Sequence, residues 1–215
     1  MQVIKSAGDR IDYEADLAKA LADAGLVNEC LPEVLSTKQD FFKKAAPFIT
    51  KEIVVATNNS SLLPSQMTPD VSYPENFLAM HFANMIWQEN LCEIMPSMLT
   101  APGTTEKAKD YALKMGMCPI VMNKEHAGYL LNSLLIPFLN VAQTLVAEGI
   151  ADPQGKTGTG APYGPFEMLN IIRLPTALHI VQEDPRSRER KRQIKDVCMK
   201  RKTWDTISFV IPFPR

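Results

Sequence analysis

The sequence predicts an α/β protein, an open sheet covered by helices, followed by an all-α region. Three observations carry that expectation. Continuous apolar runs such as Glu52–Ala56 (EIVVA) and Phe77–Met80 (FLAM) have the character of buried parallel strands. Stretches with apolar residues at helical spacing alternate with them. From Gly128 the pattern changes to one long apolar helix, YLLNSLLIPFLNVAQTLVAEG.

The elements follow in order. Asp12 to Ala24 has Leu17, Leu21 and Ala24 at helical spacing, with Asp12 available as a cap and Gly25 as a stop. Leu26 to Leu31 is a short strand closed by Pro32. Ser36 to Ala45 is helical, with Phe41 and Phe42 facing inward. The strand Glu52–Ala56 runs straight into the polar tract TNNSS. Leu63 to Met67 is a brief helix. Phe77–Phe82, Leu91–Met95 and Pro119–Met122 are strands, and Thr105–Met115 is a helix ended by Gly116. In the long helix, Pro137 sits in the interior, where proline costs about 3 kcal/mol unless a kink absorbs it. That helix reads as the core of a second domain or as a dimer interface. Ala151–Pro165 is rich in Gly and Pro and reads as loop, with short helical pieces at Phe166–Ile172 and Thr176–Val181. Pro162, Gly164 and Pro165 read as a rigid lead into the first of these. The stretch from Asp205 has no clear period. Two domains are therefore expected, 1–124 and 125–215, with the tail from about 184 standing apart in composition.

Composition narrows the function classes. The chain has 215 residues, 46% of them hydrophobic, so it can build a core. A formal net charge of −1 argues against bulk attraction to nucleic acid or to an anionic membrane. The exception is Arg186 to Lys202, with nine Lys or Arg and two acids. Such runs are more often solvated helix faces than nucleic-acid sites. Cys30, Cys92, Cys118 and Cys198 make no CxxC pair and read as reduced thiols. No unbroken hydrophobic run reaches the roughly 18 residues of a membrane span, and the start lacks a signal-peptide core. The cytoplasm is the default, with no membrane partner. His126 and His179 have no H-x-x-H or H-E-x-x-H partner, so no metal site is expected.

Several polar residues stand where chemistry would need them. His81 ends the apolar run FLAM, at the carboxyl end of an expected parallel strand, where open sheets bind ligands. Histidine's ordinary pKa near neutrality suits proton transfer, although a lone strand-end histidine is ordinarily a packed polar residue. Glu93 lies on the next strand, within reach of a ring nitrogen. Ser60 lies in the polar turn TNNSS, which serves equally as a helix cap. Asn132 sits in the apolar helix, and a buried amide needs partners.

Six segments, in fixed order, resemble the 3-hydroxyacyl-CoA dehydrogenase family. They are Glu29-Cys-Leu-Pro-Glu33 (family E-A-x-P-E), Ala56-Thr-Asn-Asn-Ser-Ser-Leu62 (S-N-T-S-S-L) and Met80-His-Phe-Ala-Asn84 (G-H-F-F-N). Glu93 stands at the Glu of L-V-E-V-I. Ala127-Gly-Tyr-Leu-Leu-Asn-Ser133 is similar to P-G-F-V-x-N-R, and Gly160-Ala-Pro-Tyr-Gly-Pro-Phe-Glu167 to G-x-P-x-G-P-F-E. The forms H-F-A-N and A-G-Y-x-L-N-S are closest to a bacterial short-chain subgroup acting on substrates such as 3-hydroxybutyryl-CoA.

The resemblance implies NAD-dependent interconversion of a (S)-3-hydroxyacyl-CoA and its 3-oxoacyl-CoA. It makes His81 the acid/base and Glu93 its orienting partner, and places Ser60 on the substrate oxygen. Asn132 falls near the thioester and the histidine. Glu33, Lys38, Asn58 and Asn84 fall around the cofactor, although Glu33 and Lys38 read equally well as surface charges from sequence. It also implies a homodimer through the C-terminal helices and no nucleic-acid partner. The family's G-x-G-x-x-G turn, which seats the pyrophosphate on a helix N-terminus, has no counterpart. Gly155-Lys-Thr-Gly-Thr-Gly-Ala161 fits neither that turn nor a P-loop. The expected fold is therefore a truncated Rossmann-like parallel sheet lacking its first βαβ, followed by an all-α helical domain. The alternative function is an inactive remnant, or a dimerisation partner of a full-length relative.

Overall fold

The computed structural model describes residues 8–150 and 163–172. The chain divides into two compact units, Met1–Leu130 and Leu131–Arg215. The pieces expected at Thr176–Val181, in the basic run and beyond Asp205, along with Cys198 and His179, lie outside the described residues.

The first unit is a five-stranded sheet with strand order β1-β2-β3-β4-β5. Helix α1 (Leu17–Leu21) is shorter than its periodicity suggests. Its cap is Asp16, not Asp12, with the carboxylate accepting from the N–H groups of Ala18 and Lys19. β1 (Leu26–Glu29) leads to α2 (Leu35–Ala45), then to β2 (Val54–Thr57). In place of the expected helix at Leu63–Met67 there are 3-10 turns, Pro64–Gln66 and Thr68–Asp70. Pro69 explains the difference, since its ring and missing N–H stop a helix from continuing past Thr68. β3 (Phe77–Phe82) and β4 (Leu91–Pro96) follow, then α3 (Pro102–Lys114) and β5 (Cys118–Val121). α3 starts three residues earlier than expected because Pro102 suits the first turn.

The expectation of a parallel sheet is corrected in one place. β1, β2 and β3 are parallel, as are β4 and β5, but β3 and β4 run antiparallel. The connection from Phe82 to Leu91 is too short for the crossover helix a parallel return needs, so the strands form a hairpin. Met85 supports its turn with a left-handed φ of 60°.

Strand alternation sorts the core. One face packs Val55 and Phe77 with Phe42, Ile49 and Met67. The other packs Ala56, Leu78, Met80, Cys92 and Ile94 against Ala108 and Ala112 of α3. Ala79 and Met95 pack with Tyr129. His81 and Glu93 stand two residues beyond Ala79 and before Met95, on that same face.

Helix α4 (Tyr129–Ala147) carries Pro137 internally, and Pro137 is exposed. Its stretch Tyr129–Val146 is long and apolar enough to cross a membrane by length and composition. Asn132, Asn140 and Gln143 interrupt the run without adding charge. One such helix is weak evidence of a span, because core helices pass the same test. In the second unit Leu139 and Leu169 are buried, while Leu134 and Val141 are exposed. α5 (Pro165–Ile172) begins with proline, and the Gly164 N–H donates to Glu167 Oε2 at 2.7 Å.

Candidate functional site

The carboxyl ends of β1, β2 and β3 converge on one edge of the sheet, as parallel pairing requires. At the end of β3 the antiparallel register sets His81 directly opposite Glu93. Directly opposed residues on a sheet face are close neighbours. Here His81 Nδ1 lies 2.7 Å from Glu93 Oε2. A carboxylate only accepts, so this contact assigns the proton to Nδ1 and leaves Nε2 as the basic nitrogen. The imidazole keeps 11% side-chain exposure and the carboxylate none, so the pair meets solvent only through the ring.

The second carboxylate oxygen is also engaged. The Leu130 N–H, at the start of α4, donates to Glu93 Oε1 at 2.8 Å. The chain reaches that point through Gly128 (φ 87°) and Tyr129 (φ 53°), two consecutive left-handed residues. This turn drives the Tyr129 ring into the core, with its centroid 5.0 Å from that of His81. The Tyr129 hydroxyl donates to Leu62 O at 3.5 Å. Burial pushes its pKa up, and the carboxylates of Glu33, Glu93 and Glu125 push it further, so it stays protonated.

Ser60 is half-buried in the turn after β2. Glu33 Oε1 accepts from Ser60 N (2.8 Å), Ser61 N (2.6 Å), Ser61 Oγ (2.7 Å) and Leu62 N (3.4 Å). The buried Asn59 side chain closes the same turn, donating through Nδ2 to Leu62 O at 2.8 Å. Asn58 knits the strand ends together. Its N–H donates to Glu29 O at 2.7 Å, and its Oδ1 accepts the Phe82 N–H at 3.3 Å.

Lys38 is no surface charge. It is fully buried, and Nζ donates to both Glu29 oxygens at 2.9 Å, to Leu31 O at 3.2 Å and to Asn58 O at 3.3 Å. Glu29 also accepts from the Thr57 hydroxyl at 2.6 Å and from the Leu31 N–H. An ammonium has three protons to give, and here four acceptors surround them. The pair therefore ties α2 to the ends of β1 and β2.

The structure thus brings His81 to Glu93, and Glu33 to Ser60. Asn84 is exposed in the turn after β3, and Asn132 is half-buried on α4 in the second unit. Sequence reasoning left Glu29, Thr57, Asn59 and Tyr129 without roles. Glu29 had a signal, an acid closing an apolar run. The left-handed Tyr129 had none, because glycine is the residue expected at such a φ.

Toward a dinucleotide, Glu33 and Asn58 follow β1 and β2, with Glu33 accepting from the turn after β2 and Asn58 Oδ1 from the Phe82 N–H. Among the described residues no glycine-rich turn joins a parallel strand to a helix N-terminus. The loop after β1 instead sets the Glu33 carboxylate just before α2, where a pyrophosphate would meet like charge. Among the described residues no group of three His, Cys, Asp or Glu side chains could hold a metal.

Comparison with known proteins points to one family. A family model described as "3-hydroxyacyl-CoA dehydrogenase, NAD binding domain" matches residues 2–126, and that family's C-terminal domain matches 128–205. A probable 3-hydroxybutyryl-CoA dehydrogenase of Deinococcus radiodurans is 32% identical, with 80% of this chain and 63% of the relative covered. The human mitochondrial hydroxyacyl-coenzyme A dehydrogenase is 31% identical, covering 80% and 56%. The chain therefore spans less than two thirds of the length of these relatives. Among solved structures, a diketoreductase described as acting on dicarbonyl compounds is 41% identical with a TM-score of 0.81, covering 89% of this chain and 70% of its own. The (S)-3-hydroxybutyryl-CoA dehydrogenase of Ralstonia eutropha is 25% identical with a TM-score of 0.80, covering 93% and 75%.

Proposed function

The chain belongs to the 3-hydroxyacyl-CoA dehydrogenase family, and on that premise we propose that it interconverts a short (S)-3-hydroxyacyl-CoA and its 3-oxoacyl-CoA. The observation that carries this is the His81–Glu93 pair, 2.7 Å apart and buried at the carboxyl end of β3. NAD, when bound, supplies the hydride acceptor.

The rest of the chemistry falls to this chain. In the oxidative direction His81 Nε2 takes the proton of the 3-hydroxyl, and Glu93 stabilises the resulting imidazolium. Ser60 orients the substrate oxygen and Asn132 the thioester. Glu33, Asn58 and Asn84 face the cofactor, with Lys38 holding the loops that carry Glu33 and Asn58. A homodimer through the helical unit belongs to the same reading, since Leu134 and Val141 on α4 are exposed apolar positions. So does a cytoplasmic setting.

The test is oxidation of NADH by acetoacetyl-CoA, compared with the same assay on His81→Gln. Turnover that vanishes in the variant, with NADH binding retained, supports the reading. A wild-type chain that neither turns over nor binds NADH fits an inactive partner of a longer relative instead. One observation favours a second substrate class. The identity to the diketoreductase, 41%, exceeds that to the hydroxybutyryl-CoA dehydrogenases. A free β-diketone reduced faster than acetoacetyl-CoA would assign the chain to small dicarbonyls.

A further inference from the structure

We infer that Glu33 is a positioning residue for Ser60, holding the turn after β2 by its backbone so that the serine hydroxyl is fixed relative to His81. The inference rests on the reading of Ser60 as a substrate contact, and it gives Glu33 a task separate from any contact with the cofactor ribose.

The geometry points to this role in three ways. First, one carboxylate gathers the N–H groups of three consecutive residues, Ser60, Ser61 and Leu62, together with the Ser61 hydroxyl. Successive N–H groups aimed at one point form an anion-binding nest. Here the anion is a side chain of the same chain, 27 residues earlier. A hydrogen bond to an ionised acceptor is stronger than a neutral one, and several converging on one group fix a turn that belongs to no regular element.

Second, the opposite edge of the turn is held as well. Leu62 O accepts from Asn59 Nδ2 at 2.8 Å and from the Tyr129 hydroxyl at 3.5 Å. The Tyr129 ring packs on His81 at 5.0 Å. The Ser60 turn is thus gripped between Glu33 on its N–H side and Tyr129 on its carbonyl side, and Tyr129 also touches the proposed base.

Third, Glu33 has a firm footing. The loop after β1 is anchored by Lys38, which donates both to Leu31 O and to Asn58 O. Lys38 and Glu33 both join the loops after β1 and β2, and of these two Glu33 is the one that reaches the backbone of Ser60. A displacement of about 1 Å in a reacting group can cost about 10²-fold in rate, so holding this turn is a sufficient reason for the arrangement.

The experiment uses the full chain with Glu33→Ala, Glu33→Gln, Ser60→Ala and the Glu33→Ala/Ser60→Ala double variant. Three readouts are taken, amide hydrogen exchange, turnover at saturating NADH, and NADH binding by fluorescence. Glu33→Ala should speed exchange at Ser60, Ser61 and Leu62 by at least about tenfold, leaving Val54–Thr57 protected. It should lower kcat by about 10²-fold, with Glu33→Gln recovering part of the loss. The double variant should be no slower than Ser60→Ala, because both changes remove one function.

Unchanged exchange at residues 60–62 overturns the inference whatever the turnover. So does a Glu33→Ala chain that shows only weaker NADH binding with full kcat, which assigns Glu33 to the cofactor alone. So do losses that add in the double variant. A wild-type chain without turnover fails the dehydrogenase reading, and the positioning of Ser60 for that reaction falls with it. Glu33→Gln, which keeps the length and one oxygen acceptor, guards against a Glu33→Ala chain that does not fold.

Discussion

Glu93 holds His81 across a directly opposed antiparallel pair, Oε2 to Nδ1 at 2.7 Å, while its other oxygen is fixed by the Leu130 N–H at 2.8 Å. The carboxylate thus orients the ring and is itself oriented by the start of α4. In Glu93→Gln the shape survives but the charge that favours imidazolium is lost. Turnover should fall by about 10²–10⁴-fold. The KM for the acyl substrate should change far less than kcat, because substrate and transition state lose unequal stabilisation. Steady-state kinetics at saturating NADH checks this. An equal loss in both parameters would mean that Glu93 shapes binding instead.

The Lys38–Glu29 pair supports a second prediction. Both side chains are fully buried, so removing one partner leaves an uncompensated charge in the core. Lys38→Met and Glu29→Gln should each cost about 3–5 kcal/mol in urea unfolding. Lys38→Met combined with Glu29→Leu should recover part of that cost, since an apolar pair carries no desolvation penalty. Thr57 limits the recovery, because its hydroxyl loses the acceptor it has at 2.6 Å. A double variant weaker than either single one would show that the pair contributes net stability as it stands.

What was legible in the sequence divides along physical lines. Strands such as Phe77–Phe82 were readable to the residue, because a buried strand is a continuous apolar run with sharp polar ends. His81 and Glu93 were readable as neighbours on consecutive strands. Their antiparallel pairing was not, since apolar runs carry no direction, although the short link from Phe82 to Leu91 held the clue. Asp16 displaced Asp12 as the cap because helix ends depend on local φ and ψ that periodicity does not encode. Lys38 was illegible for another reason. A lysine in a mixed helix reads as solvated until the carboxylate nine residues earlier is seen beneath it. Tyr129 was hidden because its role follows from a left-handed backbone, for which no residue other than glycine is a signal.

Tyr129 gives a third prediction by separating its ring from its hydroxyl. Tyr129→Phe keeps the ring against His81 and removes the hydroxyl that donates to Leu62 O at 3.5 Å. It should cost no more than about 1 kcal/mol of stability. Tyr129→Ala empties a fully buried aromatic site and should cost about 3–5 kcal/mol. The two should also differ in the His81 imidazole proton resonance. The ring-current shift persists in Tyr129→Phe and disappears in Tyr129→Ala. Loss of that shift in Tyr129→Phe would mean that the hydroxyl, not packing, sets the ring's position.

The fourth prediction concerns Cys92, on the face of β4 opposite Glu93 and packed against α3. Burial pushes its thiol pKa up to about 12 from the usual 9.0, and the Glu93 carboxylate adds to the rise. Two consequences follow. At pH 8 an alkylating reagent should label the exposed Cys30 and Cys118 and spare Cys92 until the chain unfolds, as peptide mapping by mass spectrometry will show. The second is a stability effect with a definite sign. Below pH 9 both folded and unfolded chains keep the proton, so Cys92 adds no slope. Between pH 9 and about 12 the unfolded chain has lost the proton and the folded chain retains it. The folded state then binds more protons, and stability falls as pH rises, by at most about 1.4 kcal/mol per pH unit from this group. Cys92→Ala removes that slope. The difference in stability between wild type and Cys92→Ala should be constant below pH 9 and move in the variant's favour above it. Parallel curves through that window would show that the buried thiol ionises in the folded protein as readily as in the unfolded chain.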